Sequence, residues 1–192
     1  MTKERHFPIS ERGFSLIELL VVIAIIATLA VLAVSGGGVV TAHRLTTGAT
    51  EVKATMESAR QRAMASGLPA AVLFYQSDPG ETDFDCYRVI ALVGLQSQEG
   101  KLQRLPDGLV IRRSTTASSL LEAVPSVTDS RGQTAKMVRF LGDGSLEGLR
   151  TGPPLALSIV EKSAPVAAND LPANFAVLGL DPLLGTVVLY RP

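Results

Sequence analysis

The chain has 192 residues, 18 basic and 18 acidic side chains, an apolar content of 46% and a mean hydropathy of +0.29. This length suits one ordinary domain, and the balanced charge argues against binding nucleic acid through a broad positive surface. The single cysteine, Cys86, excludes an intrachain disulfide and a cysteine metal cluster. Both histidines, His6 and His43, lie near the N-terminus, which excludes a histidine-based catalytic centre in the rest of the chain.

One N-terminal segment holds the excess apolar content. Residues 14–34 contain 18 apolar side chains among 21. As a helix rising about 1.5 Å per residue, this segment spans about 31 Å, close to the hydrocarbon thickness of a bilayer. The remaining chain has the apolar share of a soluble domain, which excludes multi-span transporters and channels. We therefore predict one transmembrane helix from Phe14 to Val34.

Three interpretations of this segment compete: a plain single-span anchor, a secretory signal cleaved near Ala33, and a leader cleaved before the apolar run. Glu18 bears on all three, because a carboxylate deep in a bilayer costs about 2.5–3.5 kcal/mol. The apolar region of a secretory signal is shorter and avoids charge. An anchor tolerates Glu18 by snorkelling towards the membrane surface, so the residues alone leave the anchor open.

The sequence RGFSLIELL, from Arg12 to Leu20, resembles the class III signal of type IV prepilins and type II secretion pseudopilins. The resemblance implies that residues 1–13 are a leader, which a prepilin peptidase removes between Gly13 and Phe14. It also implies N-methylation of the new terminus at Phe14. For Glu18 it implies a role in assembly with other pilin or pseudopilin subunits at an inner-membrane assembly platform.

The chemistry of this motif is self-consistent. Cleavage creates a cationic amine at the edge of an apolar helix, and Glu18 of a neighbouring subunit can neutralise that amine where the dielectric is low. The leader carries a small positive excess, which is typical of a cytoplasmic segment. We therefore expect a single-pass protein in contact with inner-membrane lipid, with its C-terminal domain in the periplasm. The charged leader residues are Lys3, Glu4, Arg5, Glu11 and Arg12.

After the span, residues 35–67 are predicted to form a kink and an amphipathic helix. The glycines 36–38 weaken a helix, and they serve equally well as a kink or as a flexible linker. From residue 39 to 66 the apolar positions repeat at helical spacing, which predicts a seam against a sheet, while Arg60 and Arg62 are assigned to the solvated face. The helix is expected to end at Gly67. The stripe comprises Leu45, Ala49, Val52, Met56, Ala59 and Ala63.

The remainder, 68–192, is predicted to be a β domain with short strands separated by Gly, Pro, Asp and Ser. Asp143-Gly144 and Leu184-Gly185 are predicted hairpin turns, and 114–135 and 161–174 are predicted loops without strands. The predicted fold is α+β and pilin-like, with a long N-terminal helix packed on an antiparallel sheet. The predicted strands are Ala70–Tyr75, Tyr87–Val93, Leu109–Arg113, Met137–Phe140, Leu155–Val160, Phe175–Leu180 and Thr186–Tyr190.

A second resemblance lies in this domain. The patterns ARxxA at residues 59–63, FxxDGS at 140–145 and DxxxG at 181–185 follow one another in the order found in minor pseudopilins of the GspH/FimT type. The closing stretch 171–192 is also similar to the prepilin-like Verru_Chthon cassette protein D. Both resemblances imply the same pilin-like class.

An acidic cluster is the one candidate metal site. Asp78, Glu81, Asp83 and Asp85 are oxygen ligands of the kind that calcium takes, but no EF-hand spacing is present. A solvated hairpin loop is therefore favoured, and no metal or cofactor is predicted. No motif supplies a nucleophile with its base and stabiliser, so we predict that the chain is not an enzyme.

These observations predict a minor pseudopilin, a structural subunit of the periplasmic fibre of a type II protein secretion system. Its partners would be other subunits, prepilin peptidase, the assembly platform and membrane lipid, without nucleic acid. One alternative is a minor pilin of a surface type IV pilus, for adhesion or DNA uptake. The other is an anchored binding domain that never polymerises.

Overall fold

The structure is a computed structural model. The chain forms two compact units, residues 1–40 and 41–192. The predicted leader, residues 1–13, and the predicted methylation residue, Phe14, lie outside the described residues. The structure describes residues 16–35, 37–76, 83–93, 96–113, 118–129, 131–149, 155–164 and 171–192.

Helix α1, Leu16–Ser35, consists mostly of Leu, Ile, Val and Ala. The hydroxyl of Thr28 donates to the carbonyl of Ile25 at 2.8 Å, so the helix itself satisfies this polar group. All the side chains described in this helix, residues 16–29, are exposed. Helix α1 therefore has no apolar core among the described residues.

Helix α2, Gly37–Ser66, has the amphipathic pattern that the sequence predicts. It begins two residues earlier than predicted, so Gly37 lies inside the helix and Gly36, between the two helices, lies outside the described residues. Gly67, with φ of 67°, ends it in the left-handed conformation that glycine adopts most easily. The six predicted stripe residues, Leu45, Ala49, Val52, Met56, Ala59 and Ala63, are each 0% exposed.

The first sheet is antiparallel and has the order β3-β2-β1-β7-β6, with β4 also paired to β2. The central strand β1 is buried along its whole length, because core side chains cover one face and a smaller apolar cluster around Leu73 and Tyr75 covers the other. Its strands are β1 Ala70–Tyr75, β2 Cys86–Val93, β3 Gln96–Glu99, β4 Gln103–Arg104, β6 Ser126–Thr128 and β7 Thr134–Phe140.

The second sheet is antiparallel with the order β10-β9-β8-β5. Strand β5 pairs with only part of β8, and the short helix α3, Ser119–Ala123, covers the rest of that edge. There the hydroxyl of Ser118 accepts from the amide of Ser158 at 2.9 Å, and that of Ser119 accepts from the amide of Ala156 at 3.0 Å. The strands are β5 Leu109–Ile111, β8 Leu155–Glu161, β9 Phe175–Leu180 and β10 Val187–Tyr190.

One apolar cluster joins the stripe of α2 to both sheets and α3. Phe74 and Phe140 from the first sheet, and Leu157 and Leu178 from the second, lie in it with α2. The α+β class is thus confirmed, with α2 packed on antiparallel sheets in the unit 41–192. The C-terminus is held against the same helix, because the Arg191 guanidinium donates to the hydroxyl of Thr46 in α2.

Three predictions about this unit were wrong. A single sheet was expected, and the strands divide between two. The predicted loop 114–135 contains α3, β6 and the start of β7, and strands β3 and β4 were not predicted. The missed strands, with sequences QSQE, QR and SVT, are short and mostly polar, so they carry no apolar alternation and form by pairing with longer neighbours.

Candidate functional site

The first turn of α1 holds Glu18, the predicted assembly carboxylate. An acidic side chain there interacts favourably with the positive end of the helix dipole. Glu18 is exposed, and so are the described apolar side chains around it. Gly13 and Phe14, the predicted cleavage and methylation residues, lie outside the described residues, so their roles stay predictions.

The apolar surface of α1 is unusual for a helix outside a core. Side chains on every side of it are exposed, with fractions from 83% at Leu16 to 46% at Val22. Burial of such side chains in an apolar environment is worth about 1.5–3 kcal/mol each, so this surface favours an apolar partner. No helix within the described residues meets the length and apolar content needed to cross a membrane. The predicted span starts at Phe14, outside those residues, and stays a prediction.

The C-terminal end of α2 meets both predicted hairpin turns. Arg60 Nε donates to the carbonyl oxygen of Leu184 at 2.8 Å, so this half-buried side chain joins the helix to the β9–β10 turn. Arg60 therefore keeps part of its surface in solvent, and its contact with Leu184 was not predicted, whereas Arg62 is exposed. A Cβ added to Gly185 would overlap the carbonyl oxygen of Gly144, so the two turns pack backbone against backbone.

Both turns form where the sequence predicts them. Gly144 and Gly185 have φ of 85° and 63°, which glycine adopts without strain. Asp143 Oδ1 accepts from the amide and the hydroxyl of Ser145 at 3.0 and 2.6 Å, as expected for a turn residue. The second turn is a six-residue connection, 181–186, rather than a two-residue hairpin.

The acidic loop is only partly described, because Asp78 and Glu81 lie outside the described residues. Asp83 accepts from the amide of Arg113 at 3.0 Å and lies 3.7 Å from Arg112 Nε. Its oxygens are therefore engaged by the chain itself. Within the described residues, no group of three or more His, Cys, Asp or Glu side chains lies close enough to hold a metal ion.

A groove of about 700 Å³ lies between α2 and β4. At its floor, Thr55 Oγ1 donates to Gln103 Oε1 at 3.2 Å, and Tyr87 is 1% exposed. Burial, and secondarily the charge of Glu51, raise the pKa of Tyr87 to about 12, while a hydrogen bond with Thr55 opposes this. The Tyr87 phenol therefore stays protonated at neutral pH. The other lining residues are Ala54, Ser58, Arg62, Lys101, Leu102 and Arg104.

Residues 9–34 match the family model described as the prokaryotic N-terminal methylation motif. The N-terminus is of the prepilin type. The match includes Gly13, Phe14 and Glu18, and it covers the start of the chain, not the domain that follows. No curated protein sequence matches the chain significantly.

Two crystal structures of the type IV minor pilin FimU from Pseudomonas aeruginosa are similar to this chain. The first has a TM-score of 0.48 at 15% identity, covering 78% of this chain and 93% of FimU. The second has a TM-score of 0.42 at 14% identity, covering 77% and 97%.

Sequence reasoning missed two features of the unit 41–192. The contact of Arg60 with Leu184 joins residues 124 positions apart, which no local pattern reveals. The groove was also missed, although Glu51, Thr55, Ser58 and Arg62 repeat at helical spacing on a polar stripe beside the apolar one. That spacing was the available signal.

Proposed function

We propose that the chain is a minor pseudopilin, a structural subunit of the periplasmic fibre of a type II protein secretion system, rather than an enzyme. The observation that carries the proposal is the pairing of a methylation motif at residues 9–34 with a helix whose described apolar side chains are all exposed. An apolar helix with no core of its own needs lipid or other subunits to cover it. In a membrane precursor that later joins a fibre, lipid covers this helix first and other subunits cover it afterwards.

In this proposal prepilin peptidase cuts between Gly13 and Phe14, and Phe14 is N-methylated. The segment 14–34 holds the subunit in the inner membrane, with the domain 68–192 in the periplasm. On assembly at the inner-membrane platform, Glu18 meets the new amine of a neighbouring subunit. The two charges then neutralise each other in low dielectric, which fixes the register between subunits.

Glu18→Gln tests the assembly role, because it removes the charge and keeps the size of the side chain. We expect normal membrane insertion and cleavage, but at least a tenfold loss of cross-linking to partner subunits, about 1.4 kcal/mol. Glu57→Gln is the matched control, since Glu57 lies on α2 and forms only a partly exposed ion pair with Lys53 at 3.6 Å. Equal cross-linking of both variants would contradict the proposal and favour a non-polymerising anchored domain.

A surface type IV pilus would use the same N-terminal chemistry. Deletion of the gene for this chain in its own cells distinguishes a role in type II secretion from a role in a surface pilus. The proposed role predicts that exported proteins accumulate in the periplasm while surface fibres persist. Loss of surface fibres with normal protein export would instead assign the chain to a pilus.

A further inference from the structure

The groove between α2 and β4 has two polar walls. Along α2, Glu51, Thr55, Ser58 and Arg62 follow one another at steps of four, three and four residues, so they form one stripe on the helix. The opposite wall is the segment 101–104, which contains β4. All the lining side chains belong to the unit 41–192.

The floor of the groove is held in place. Thr55 and Tyr87 are 9% and 1% exposed, and the bond from Thr55 to Gln103 joins helix to strand across the floor. The six residues of the apolar stripe of α2 lie in the core cluster, whereas Thr55 is a buried polar residue of the same helix. The groove is therefore a preformed feature of the fold.

Positive charge is concentrated on the rim. Arg62, Lys101 and Arg104 are exposed and line the groove with a single acid, Glu51, in a chain whose total charge is zero. Among the described residues, none of the three forms an ion pair. By contrast, Arg113 and Arg139 pair with glutamates at 2.6 and 3.0 Å. The groove cations thus remain available to an external anion.

The edge of the sheet beside the groove suits an extended chain. Strand β4 pairs with β2 in the register Cys86↔Arg104 and Tyr87↔Gln103, and the amide of Leu105 donates to the carbonyl of Asp85 at 2.9 Å. Antiparallel pairs alternate, so the N–H and C=O of Arg104 point away from β2. An extended peptide in the groove can therefore meet main-chain groups as well as cations.

We propose that this groove binds an extended acidic peptide segment of another protein, whose carboxylates pair with Arg62, Lys101 and Arg104. The charge of the rim favours carboxylates, and the volume of the groove with its strand edge favours a peptide over a small anion. Glu51 opposes binding, since it repels the same ligand. The site lies on the domain and does not depend on the role of α1.

Fluorescence anisotropy of an alternating Glu-Ser octapeptide, with the full chain in uncharged detergent micelles, tests the proposal. We expect binding that weakens with salt, and an about tenfold loss in the triple variant Arg62→Gln, Lys101→Gln, Arg104→Gln. The matched control is Arg44→Gln, Lys53→Gln, Arg131→Gln, which removes the same charge at positions outside the groove lining and should bind as the parent does.

A second pair of variants tests whether removal of a negative charge from the groove strengthens peptide binding. Glu51→Gln should tighten binding of the peptide several-fold, whereas Glu57→Gln, on the same helix but outside the groove, should not. Equal losses in the two triple variants, or no gain with Glu51→Gln, would overturn the proposal. So would full displacement of the peptide by inorganic phosphate at equal concentration, or tighter binding of a single-stranded oligonucleotide with the same dependence on the groove cations.

Discussion

Helices α1 and α2, of 20 and 30 residues, differ in what stabilises them. In α2 an apolar stripe of six residues is fully buried against two sheets. In α1 the described side chains, residues 16–29, are all exposed although nearly all are apolar. Helix α2 is therefore part of a folded domain, whereas the described part of α1 presents an apolar surface that no core covers.

The sharpest test of this difference is a pair of truncations, Met56→Ala in α2 and Ile23→Ala in α1. Met56 is 0% exposed and Ile23 is 58% exposed. Loss of a buried Met side chain costs about 2–5 kcal/mol, so Met56→Ala should lower the free energy of unfolding of the unit 41–192 by about 3 kcal/mol. Ile23→Ala should leave it unchanged. Near-ultraviolet circular dichroism during denaturation measures both free energies, and equal losses would mean that α1 is packed as tightly as α2.

A second test concerns the turns that meet the end of α2. Gly185→Ala adds a methyl group that overlaps the Gly144 carbonyl and also strains a positive φ, so we expect a loss of about 3 kcal/mol. Gly132→Ala has the same type of φ, 78°, with nothing within 4 Å, so only the backbone cost of about 1 kcal/mol should appear. Equal losses would mean that the packing of the two turns contributes nothing.

The buried phenol at the groove predicts a dependence on pH. The pKa of Tyr87 is raised from 10.0 to about 12 in the folded chain. The protonated phenol therefore contributes fully to the free energy of unfolding below pH 10, and this contribution is lost as the pH rises towards 12. Denaturation from pH 8 to 12 should show this extra loss in the parent chain relative to Tyr87→Phe. Parallel profiles would contradict the burial of this hydroxyl.

The smallest expected effect is that of Arg60→Ala. Loss of its bond to the Leu184 carbonyl should cost about 1 kcal/mol, because the bond is exposed to solvent. Arg62→Ala, two residues away and exposed, should cost less than about 0.5 kcal/mol. The difference between them in denaturation midpoint measures how far α2 depends on the β9–β10 turn. A larger loss for Arg62→Ala than for Arg60→Ala would contradict a stabilising contact of Arg60 with the turn.

The sequence predicts the parts of the fold that have strong periodicity. All six residues of the α2 stripe are buried, and β1 and β9 have the predicted bounds, because long apolar patterns are determined locally. Strands β3, β4 and β6 are polar and short, so their existence depends on partners far along the chain. The contact of Arg60 and the groove floor at Thr55 depend on tertiary packing for the same reason.

The predicted site residues also fall into a local motif, which the sequence identifies, and a loop whose contacts are distant in the sequence. Glu18 is in the first turn of α1, and the methylation motif that the residues indicate is matched over 9–34. The motif is local, so sequence suffices to find it. The acidic loop was harder to judge from composition alone, since its Asp83 is engaged by Arg112 and Arg113, which follow it by about thirty residues.

The most direct test of the account is the N-terminal mass of the chain extracted from membranes of its own cells. The account predicts a mature protein of 179 residues that begins at N-methylated Phe14, after loss of residues 1–13. In cells without prepilin peptidase the same measurement should give the full-length chain. A chain that keeps Met1 in normal cells, or that begins at Gly36 after loss of the whole apolar segment, would contradict it.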